Sequence, residues 1–243
     1  MTELHGLTAL RPSDPDYDAA RRGFQAARAH RPDVVVVAGS ADDVATARRY
    51  AASRDLPLAV QSSGHGLRTP VERGVLVSTR ELRGVRVDPG ARTARVEAGA
   101  SWGEIVTATT PHGLAPLNGS SPGVGVVGYL LGGGFGLLGR TYGYAADRVH
   151  AVEGIDPDGR VVRLDHLPHD RTDLVVTAVE IGLVPRTEVW GGSLALEATP
   201  SVLHGWAEWA EDLPDEVTAG VSLVPFPDSP RCRRRFAAGT WRC

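Results

Sequence analysis

Apolar residues form short runs in the first third of the chain, and turn or capping residues bound each run. Val34–Val37 predicts a buried strand, and residues 57–61 predict a second one. Between them, Ser40 and Asp43 have the spacing of a capping box, and the Ala- and Val-rich stretch that follows predicts a helix over residues 44–53. This part of the chain is therefore expected to pack a helix on a sheet.

The middle of the chain is rich in strand patterns. The further predicted strands are residues 74–78, 84–87, 94–98, 149–155, 160–164 and 174–184. Asp-Pro-Gly and Asp-Pro-Asp-Gly turns lie between the second and third and between the fourth and fifth of these strands, and they indicate two hairpins. Ser101 and Glu104 repeat the capping-box spacing and predict a short helix over residues 102–110.

The two ends of the chain differ from this middle. Residues 1–31 carry a charged, Ala-rich pattern that predicts a helical segment, and residues 32–189 contain the strand patterns. Residues 190–243 hold four of the five Trp residues, a Pro-interrupted stretch and a basic run. We expect this last segment to be the start of a second domain that ends before it closes on itself. Its strand-like runs would be left uncovered, which predicts self-association. The apolar residues in these runs are Trp190, Leu194, Leu196, Val221, Leu223 and Val224.

Composition limits the kind of partner. The chain has 243 residues, of which 42% are hydrophobic and 23% charged, as in ordinary globular proteins. A net charge of −3 gives no electrostatic reason to expect nucleic acid or an anionic membrane, so a small-molecule substrate is favoured. No apolar stretch approaches the ~20 residues of a membrane span, and the first ten residues lack a secretory pattern, so a cytoplasmic protein is expected.

No metal site is expected. Cys232 and Cys243, the two cysteines, lie in an Arg-rich segment and indicate neither a disulfide framework nor a zinc site. His166 and His169 lie near two aspartates, but ligand spacing without geometry is weak evidence, and an exposed loop is the commoner origin of such a cluster. The basic run 231–235 is interpreted as a solvated charge run.

The first glycine-rich segment directly follows a predicted strand and reads Ser62-Ser63-Gly64-His65-Gly66-Leu67. Small residues let backbone N–H groups converge on an anion such as a pyrophosphate. A tight turn with an incidental histidine is the alternative, because single histidines are common in loops.

The second glycine-rich segment reads Gly119-Ser120-Ser121-Pro122-Gly123-Val124-Gly125-Val126-Val127-Gly128. It contains a formal G-x-G-x-x-G match, which is weak evidence when taken alone. A nicotinamide-binding Rossmann domain requires a strand immediately before the match and an acidic partner further on, and neither is evident. That class of protein is therefore disfavoured.

Taken in order, with a hairpin and a short helix between them, the two segments resemble the FAD-binding domain of the p-cresol methylhydroxylase and vanillyl-alcohol oxidase superfamily. The berberine-bridge-enzyme-like oxidases are the most similar branch, and the resemblance runs from about Pro32 to Pro185. It implies an α+β fold, in which residues 32–189 form a p-cresol-methylhydroxylase-type (PCMH-type) FAD-binding domain of two α/β subdomains. Residues 190–243 would then begin an incomplete substrate domain.

The resemblance also implies a cofactor and its site. The loop Ser62–Leu67 would wrap the pyrophosphate of FAD, and His65 would bond through its ring to the 8α carbon of the flavin. The segment Gly119–Gly128 would lie along the flavin ring, with contacts from Gly119, Ser120, Ser121, Gly123, Gly125 and Gly128. A histidine bonded to the flavin withdraws electrons from the flavin ring and raises the reduction potential of the flavin. We therefore expect an FAD-dependent oxidoreductase that takes a hydride from an alcohol, amine or sugar-like substrate.

Three departures from the family bear on this expectation. Ser121 stands where some relatives carry a second, cysteinyl tether, so attachment would be through His65 alone. Gln61 and Ser63 replace a frequent arginine and glycine. Residues 165–174 are shorter than the matching segment and lack its glycine-rich loop, which closes over the adenosine of FAD. No catalytic base is assigned, and a catalytically inactive FAD-binding or flavin-free remnant of the same fold is the alternative.

Overall fold

The computed structural model describes residues 3–67, 69–167, 173–186 and 188–223. The chain divides into two compact units, one ending at Arg186 and one beginning at Thr187. Each unit is described by itself. Among the described residues, the first contains two main sheets and five α-helices, and the second contains one α-helix.

A four-stranded sheet forms the N-terminal half of the first unit. Its strands are β1 (Thr8–Leu10), β2 (Val34–Val37), β3 (Leu58–Gln61) and β4 (Val75–Ser78), in the order β1-β2-β4-β3. Strands β2, β4 and β3 are parallel to one another, and β1 is antiparallel to β2. The parallel strands therefore all end at one edge of the sheet.

A helix covers each face of this sheet. Alternate side chains of a strand point to opposite faces, so neighbouring residues of β2 contact different helices. Val34 and Val36 pack against α2 (Ala41–Ala52), whereas Val35 packs against α1 (Tyr17–Arg21). A run of four apolar residues is the pattern expected of a strand buried on both faces.

A five-stranded antiparallel sheet follows. Its strands are β5 (Val85–Asp88), β6 (Thr93–Glu97), β8 (Val149–Ile155), β9 (Val161–Leu164) and β10 (Val175–Gly182), in the order β5-β6-β10-β8-β9. The short strands β7 (Leu114–Ala115) and β11 (Val184–Pro185) pair separately. The helices of this half are α3 (Trp102–Thr109), α4 (Val126–Leu131) and α5 (Gly139–Tyr142).

The two faces of the five-stranded sheet have different chemistry. Ala94 and Val96 face a core that contains Trp102 of α3 and Leu130 of α4. The other face carries charged side chains, of which Arg95 and Glu153 form a pair with 2.6 Å between Nη2 and Oε2. Arg163 pairs with Glu153 and with Glu180 in the same way. The apolar core of this half therefore lies against the face that carries Ala94 and Val96.

Helix α2 joins the two sheets. Its apolar side chains share one core cluster with the four-stranded sheet and with Ile155 and Val175 of the second sheet. In addition, Arg49 of α2 donates a hydrogen bond of 2.9 Å to the carbonyl oxygen of Gly159, in the turn between β8 and β9. The two sheets and their helices thus form the two α/β subdomains of one unit.

The strands, hairpins and capping boxes predicted for residues 32–186 are confirmed. Asp43 N donates to Ser40 Oγ over 3.1 Å, and Asp43 Oδ2 accepts from Ser40 N over the same distance. Ser101 N donates to Glu104 Oε2 over 2.9 Å. These features depend on residues close in sequence, which is why a local pattern predicts them.

The prediction of a helical segment over residues 1–31 is wrong in extent. Among residues 3–31, only Tyr17–Arg21 is helical, and Thr8–Leu10 joins the first sheet as its edge strand. The backbone leaves the helical region at Arg22, where ψ is 143°. Gly23 follows, and it packs so tightly on Gly64 that a side chain at either position would collide with the other backbone. A tertiary contact thus overrides the Ala-rich pattern.

In the second unit, the apolar runs interpreted as strands do not form strands within the described residues. The unit contains the helix α6 (Pro200–Glu211) with Thr199 as its N-cap. Trp190 and Leu194 are exposed by 92% and 77%, and Val221 and Leu223 are exposed as well. Strand patterns need a partner strand to become strands. Val224, the basic run 231–235 and both cysteines lie outside the described residues.

Candidate functional site

The loop at Ser62–Leu67 leaves the edge of the first sheet at the carboxyl end of β3. Loops at the carboxyl ends of parallel strands are the usual ligand sites of α/β sheets. Gly64 has φ of 71°, in the left-handed region, and a Cβ there would lie 2.7 Å from the Cα of Gly23. This loop therefore requires glycine both for its conformation and for space.

The amide groups of this loop are available to a ligand. No N–H group from Ser62 to Leu67 donates a hydrogen bond to another described residue. Five of these six residues are half-buried, and Gly66 is exposed. Amide groups that have no partner on a partly buried loop are suitable donors for an anion.

The second glycine-rich segment lies directly against this loop. Gly125 N donates to Ser63 Oγ over 3.1 Å, and a Cβ on Gly125 would lie 2.9 Å from Ser62 Oγ. On its other side, Gly125 forms an antiparallel bridge with Ser101, at the start of α3. The two segments thus meet, although 62 residues separate Ser63 and Gly125.

A cleft of about 320 Å³ opens where the two segments meet. Eleven residues line it: Arg22, Gly23, Ser62, Ser63, Arg80, Arg83, Gly99, Ser101, Glu104, Gly123 and Gly125. Three of these are arginines and one is a carboxylate, so the lining carries a net positive charge. Arg83 Nη2 lies 2.7 Å from Glu104 Oε1.

Glu104 remains charged in this setting. Burial acts to raise the pKa of its carboxyl group, but hydrogen bonds from Ser101 and Arg83 outweigh burial and hold that pKa below its usual range. The carboxylate caps α3 and fixes the guanidinium of Arg83. The side chains of Glu104 and Arg83 are therefore held in place on the lining of the cleft.

His65 lies beside the cleft with one ring nitrogen engaged. Its Nδ1 is 3.0 Å from Ser63 Oγ, and its Cε1 is 3.8 Å from the position that a Cβ of Gly123 would occupy. No described residue forms a hydrogen bond with its Nε2. The ring of Phe24 stacks on the imidazole, with centroids 3.8 Å apart and planes 8° from parallel.

The residues predicted as a site fall into two groups. Ser62, Ser63, Gly123 and Gly125 line the cleft together, with His65 and Gly64 directly beside it. The others lie around this centre: Gly119 packs on the ring of Tyr129, Gly128 faces open space, Ser120, Ser121 and Gly66 are exposed, and Leu67 is half-buried.

Sequence reasoning missed the arginines and the N-terminal loop. Arg22 and Gly23 come from a region interpreted as helical, and Arg80 and Arg83 follow β4 without any recognisable motif. For the N-terminal loop, Gly23 was the one signal in the sequence, because a glycine inside an Ala-rich pattern often marks the end of a helix. Ser101 and Glu104 were noted only as a capping box.

The structure offers no metal site or membrane span in the part it describes. No three His, Cys, Asp or Glu side chains converge among the described residues. His169 and Asp170, and with them much of the shortened interval 165–174, lie outside those residues. None of the described helices has both the length and the apolar character needed to cross a membrane.

Comparison with known proteins identifies the class. The family described as FAD binding domain matches residues 32–165, more than half of the 243 residues. The fold is that of a PCMH-type FAD-binding domain, and the chain belongs to this family of FAD-linked oxidoreductases.

Individual relatives show the same likeness. The (R)-6-hydroxynicotine oxidase of Paenarthrobacter nicotinovorans is 28% identical over 218 residues, which are 88% of this chain and 46% of that protein. The aclacinomycin-N/aclacinomycin-A oxidase of Streptomyces galilaeus is 39% identical over 150 residues, 59% of this chain and 27% of that protein. A solved structure of 6-hydroxy-D-nicotine oxidase from Arthrobacter nicotinovorans is similar with a TM-score of 0.68 at 28% identity, over 76% of this chain and 44% of that one. The chain thus spans about half the length, or less, of these relatives.

The residues of the cleft fit FAD. The available amides of the first loop and the three arginines suit a diphosphate, which carries negative charge and many acceptor oxygens. A Cβ on Gly128 would meet nothing within 4 Å, and one on Gly123 would meet only His65. That open side of the second segment leaves room for a planar ring next to the imidazole.

Proposed function

We propose that this chain provides the FAD-binding part of an oxidoreductase that oxidises a small alcohol, amine or sugar-like substrate, with His65 bonded to the flavin. The observation that carries the proposal is the position of His65: one ring nitrogen binds Ser63, the other has no described partner, and Gly123 leaves space beside the ring. When bound, FAD supplies the hydride acceptor. The protein supplies binding and orientation.

The first loop holds the diphosphate in this proposal. The N–H groups from Ser62 to Leu67 have no hydrogen-bond partner among the described residues, and Ser62, Ser63, Arg80 and Arg83 line the cleft. The held conformation of Gly64 keeps these donors in place before the ligand arrives. These features favour a bound flavin over the flavin-free alternative.

In this proposal, Ser63 determines which ring nitrogen of His65 carries the proton. Its Oγ accepts one hydrogen bond from Gly125 N, and a hydroxyl oxygen has a second lone pair. We assign that second lone pair to the proton on His65 Nδ1, which leaves the lone pair of Nε2 free to bond to the 8α carbon. Bonding of Nε2 to the 8α carbon would replace a C–H bond of the methyl group and the imidazole N–H bond, and dioxygen would take up the two electrons and two protons as hydrogen peroxide.

Acid precipitation of the purified, FAD-treated chain tests this proposal. We expect a flavin absorption band that stays with the pellet, on a peptide that contains residue 65. His65→Ala should lose all acid-stable flavin but keep dissociable FAD, because the amide donors of the loop do not depend on the imidazole. His112→Ala, on an exposed turn, is the matched control. Acid-stable flavin in His65→Ala would show that the tether is another residue.

A further inference from the structure

Residues 22–25 follow α1 and lie against the histidine loop. Phe24 N donates a hydrogen bond of 2.9 Å to the carbonyl oxygen of Ser63. One residue further on, Gln25 Nε2 donates over 3.1 Å to the carbonyl oxygen of His65. Two backbone carbonyls of the proposed flavin loop are therefore held by a segment about 40 residues earlier in the chain.

This segment is itself anchored on both sides of Phe24. Gly23 packs on Gly64, and a Cβ on Gly23 would lie 2.8 Å from the Gly64 Cα. Arg80 Nη2 donates to the carbonyl oxygen of Arg22 over 2.7 Å. Each of the four residues from Arg22 to Gln25 thus has a defined contact with the site, and these contacts hold the backbone that carries the Phe24 ring.

The Phe24 ring covers one face of the imidazole although 66% of the residue is exposed to solvent. An exposed phenylalanine gains little by burial, so its contribution here comes from the stacked contact of 3.8 Å. A ring that lies parallel to an imidazole opposes rotation of that imidazole about its side-chain bonds. Ser63 holds the Nδ1 edge of the same ring.

We propose that Phe24 and Gln25 are positioning residues that hold His65 in the orientation required for its bond to the flavin. The inference rests on the proposed function of His65 as the tether. Phe24 fixes the plane of the imidazole, Gln25 fixes the backbone from which the side chain extends, and Ser63 fixes which nitrogen stays available. Neither Phe24 nor Gln25 takes part in the bonds that form or break.

The test separates attachment of the flavin from its binding. Flavin-free chain is mixed with FAD, and the rate of acid-stable incorporation is measured beside the Kd of dissociable FAD. We expect Phe24→Ala to slow incorporation by about two- to tenfold, the range that an aromatic stack provides, with a nearly unchanged Kd. Phe24→Tyr should restore the rate. Val161→Ala, a similarly exposed position at 65% on β9, is the matched control and should leave it unchanged.

A second readout needs no flavin. In NMR spectra of the flavin-free chain, the ring current of Phe24 should shift the carbon-bound ring protons of His65, and Phe24→Ala should remove that shift. Gln25→Ala should slow incorporation without removing it, since the stack remains. Both variants change exposed side chains, so far-UV circular dichroism should match wild type.

Three results would overturn the inference in distinguishable ways. If wild type takes up acid-stable flavin and Phe24→Ala takes it up at the same rate, the positioning role of Phe24 is wrong while His65 remains the tether. If wild type takes up no acid-stable flavin, His65 is not the tether and the positioning role fails with it. An unchanged His65 ring-proton spectrum in Phe24→Ala would show that the two rings do not stack, which also overturns the positioning role.

Discussion

The two glycine-rich segments of the site use glycine for different physical reasons. In the first, Gly64 has a left-handed backbone and no room for a side chain because Gly23 lies against it. In the second, Gly125 has an ordinary φ of −71°, and Gly123 and Gly128 have open space on their Cβ side. The first segment needs glycine in order to fold, whereas Gly123 and Gly128 of the second leave space that a ligand can occupy. The same composition thus has a structural role in one place and, in the proposed site, a binding role in the other.

Gly64→Ala should have the largest effect and would show that the first segment is structurally constrained. A left-handed alanine and a collision with the Gly23 backbone together should lower the free energy of unfolding by about 3 kcal/mol. Urea unfolding measures this. Gly128→Ala is the matched control, because a helical alanine with open space should raise stability by about 0.5–1 kcal/mol. Equal destabilisation by both variants would remove the contrast between the segments.

Gly125→Ala should have an intermediate effect on stability and should affect FAD binding as well. Its Cβ would lie 2.9 Å from Ser62 Oγ, and the hydroxyl can move aside, so a cost of about 1 kcal/mol is expected. The displaced Ser62 and Ser63 line the cleft, so FAD affinity should fall together with stability. Titration of flavin fluorescence, beside urea unfolding, checks both effects. Loss of stability with unchanged FAD affinity would place the ligand away from Gly125.

Glu104→Gln should have a smaller effect that depends on pH. Because the folded-state pKa of Glu104 is lowered, its carboxylate stabilises the fold at pH above the ordinary glutamate range, and the stabilisation is lost as pH falls through the lowered pKa. The variant should be less stable than wild type by about 1 kcal/mol at neutral pH, as for loss of a helix cap, and the difference should shrink in acid. Glu81→Gln, at an exposed position, is the control. A difference that stays constant with pH would mean that the carboxylate charge is not responsible.

Ser121→Cys should leave stability almost unchanged and tests where the second segment lies relative to the flavin. Ser121 is exposed, so the substitution has no packing cost. If the flavin lies along Gly119–Gly128 as proposed, a second bond to the flavin should form at residue 121. Mass spectrometry of flavin-bearing peptides detects it, and Ser120→Cys is the matched control. A free, reactive thiol at residue 121 in flavin-loaded protein would contradict this placement.

Elements that depend on neighbouring residues were predictable from the sequence. The apolar run Val34–Val37 gives β2, and the spacing of Ser40 with Asp43 gives the capped start of α2. The N-terminal helix was predicted too long, because the Ala-rich pattern has no information about the contact between Gly23 and Gly64. The apolar runs near Trp190 and Val221 met the local criteria for strands, but no partner strand lies in the described part of that unit.

The sequence by itself determined the two glycine-rich segments, the histidine between small residues and the order of strands and helices that marks the family. Tertiary structure alone decided that Gly125 binds Ser63, that Arg80 and Arg83 line the same cleft, and that Phe24 covers His65. The physical reason is the range of the contacts. A cap or a turn is formed by residues a few positions apart, whereas this site joins segments about 40 and 62 residues apart, whose meeting depends on the path of the whole folded chain.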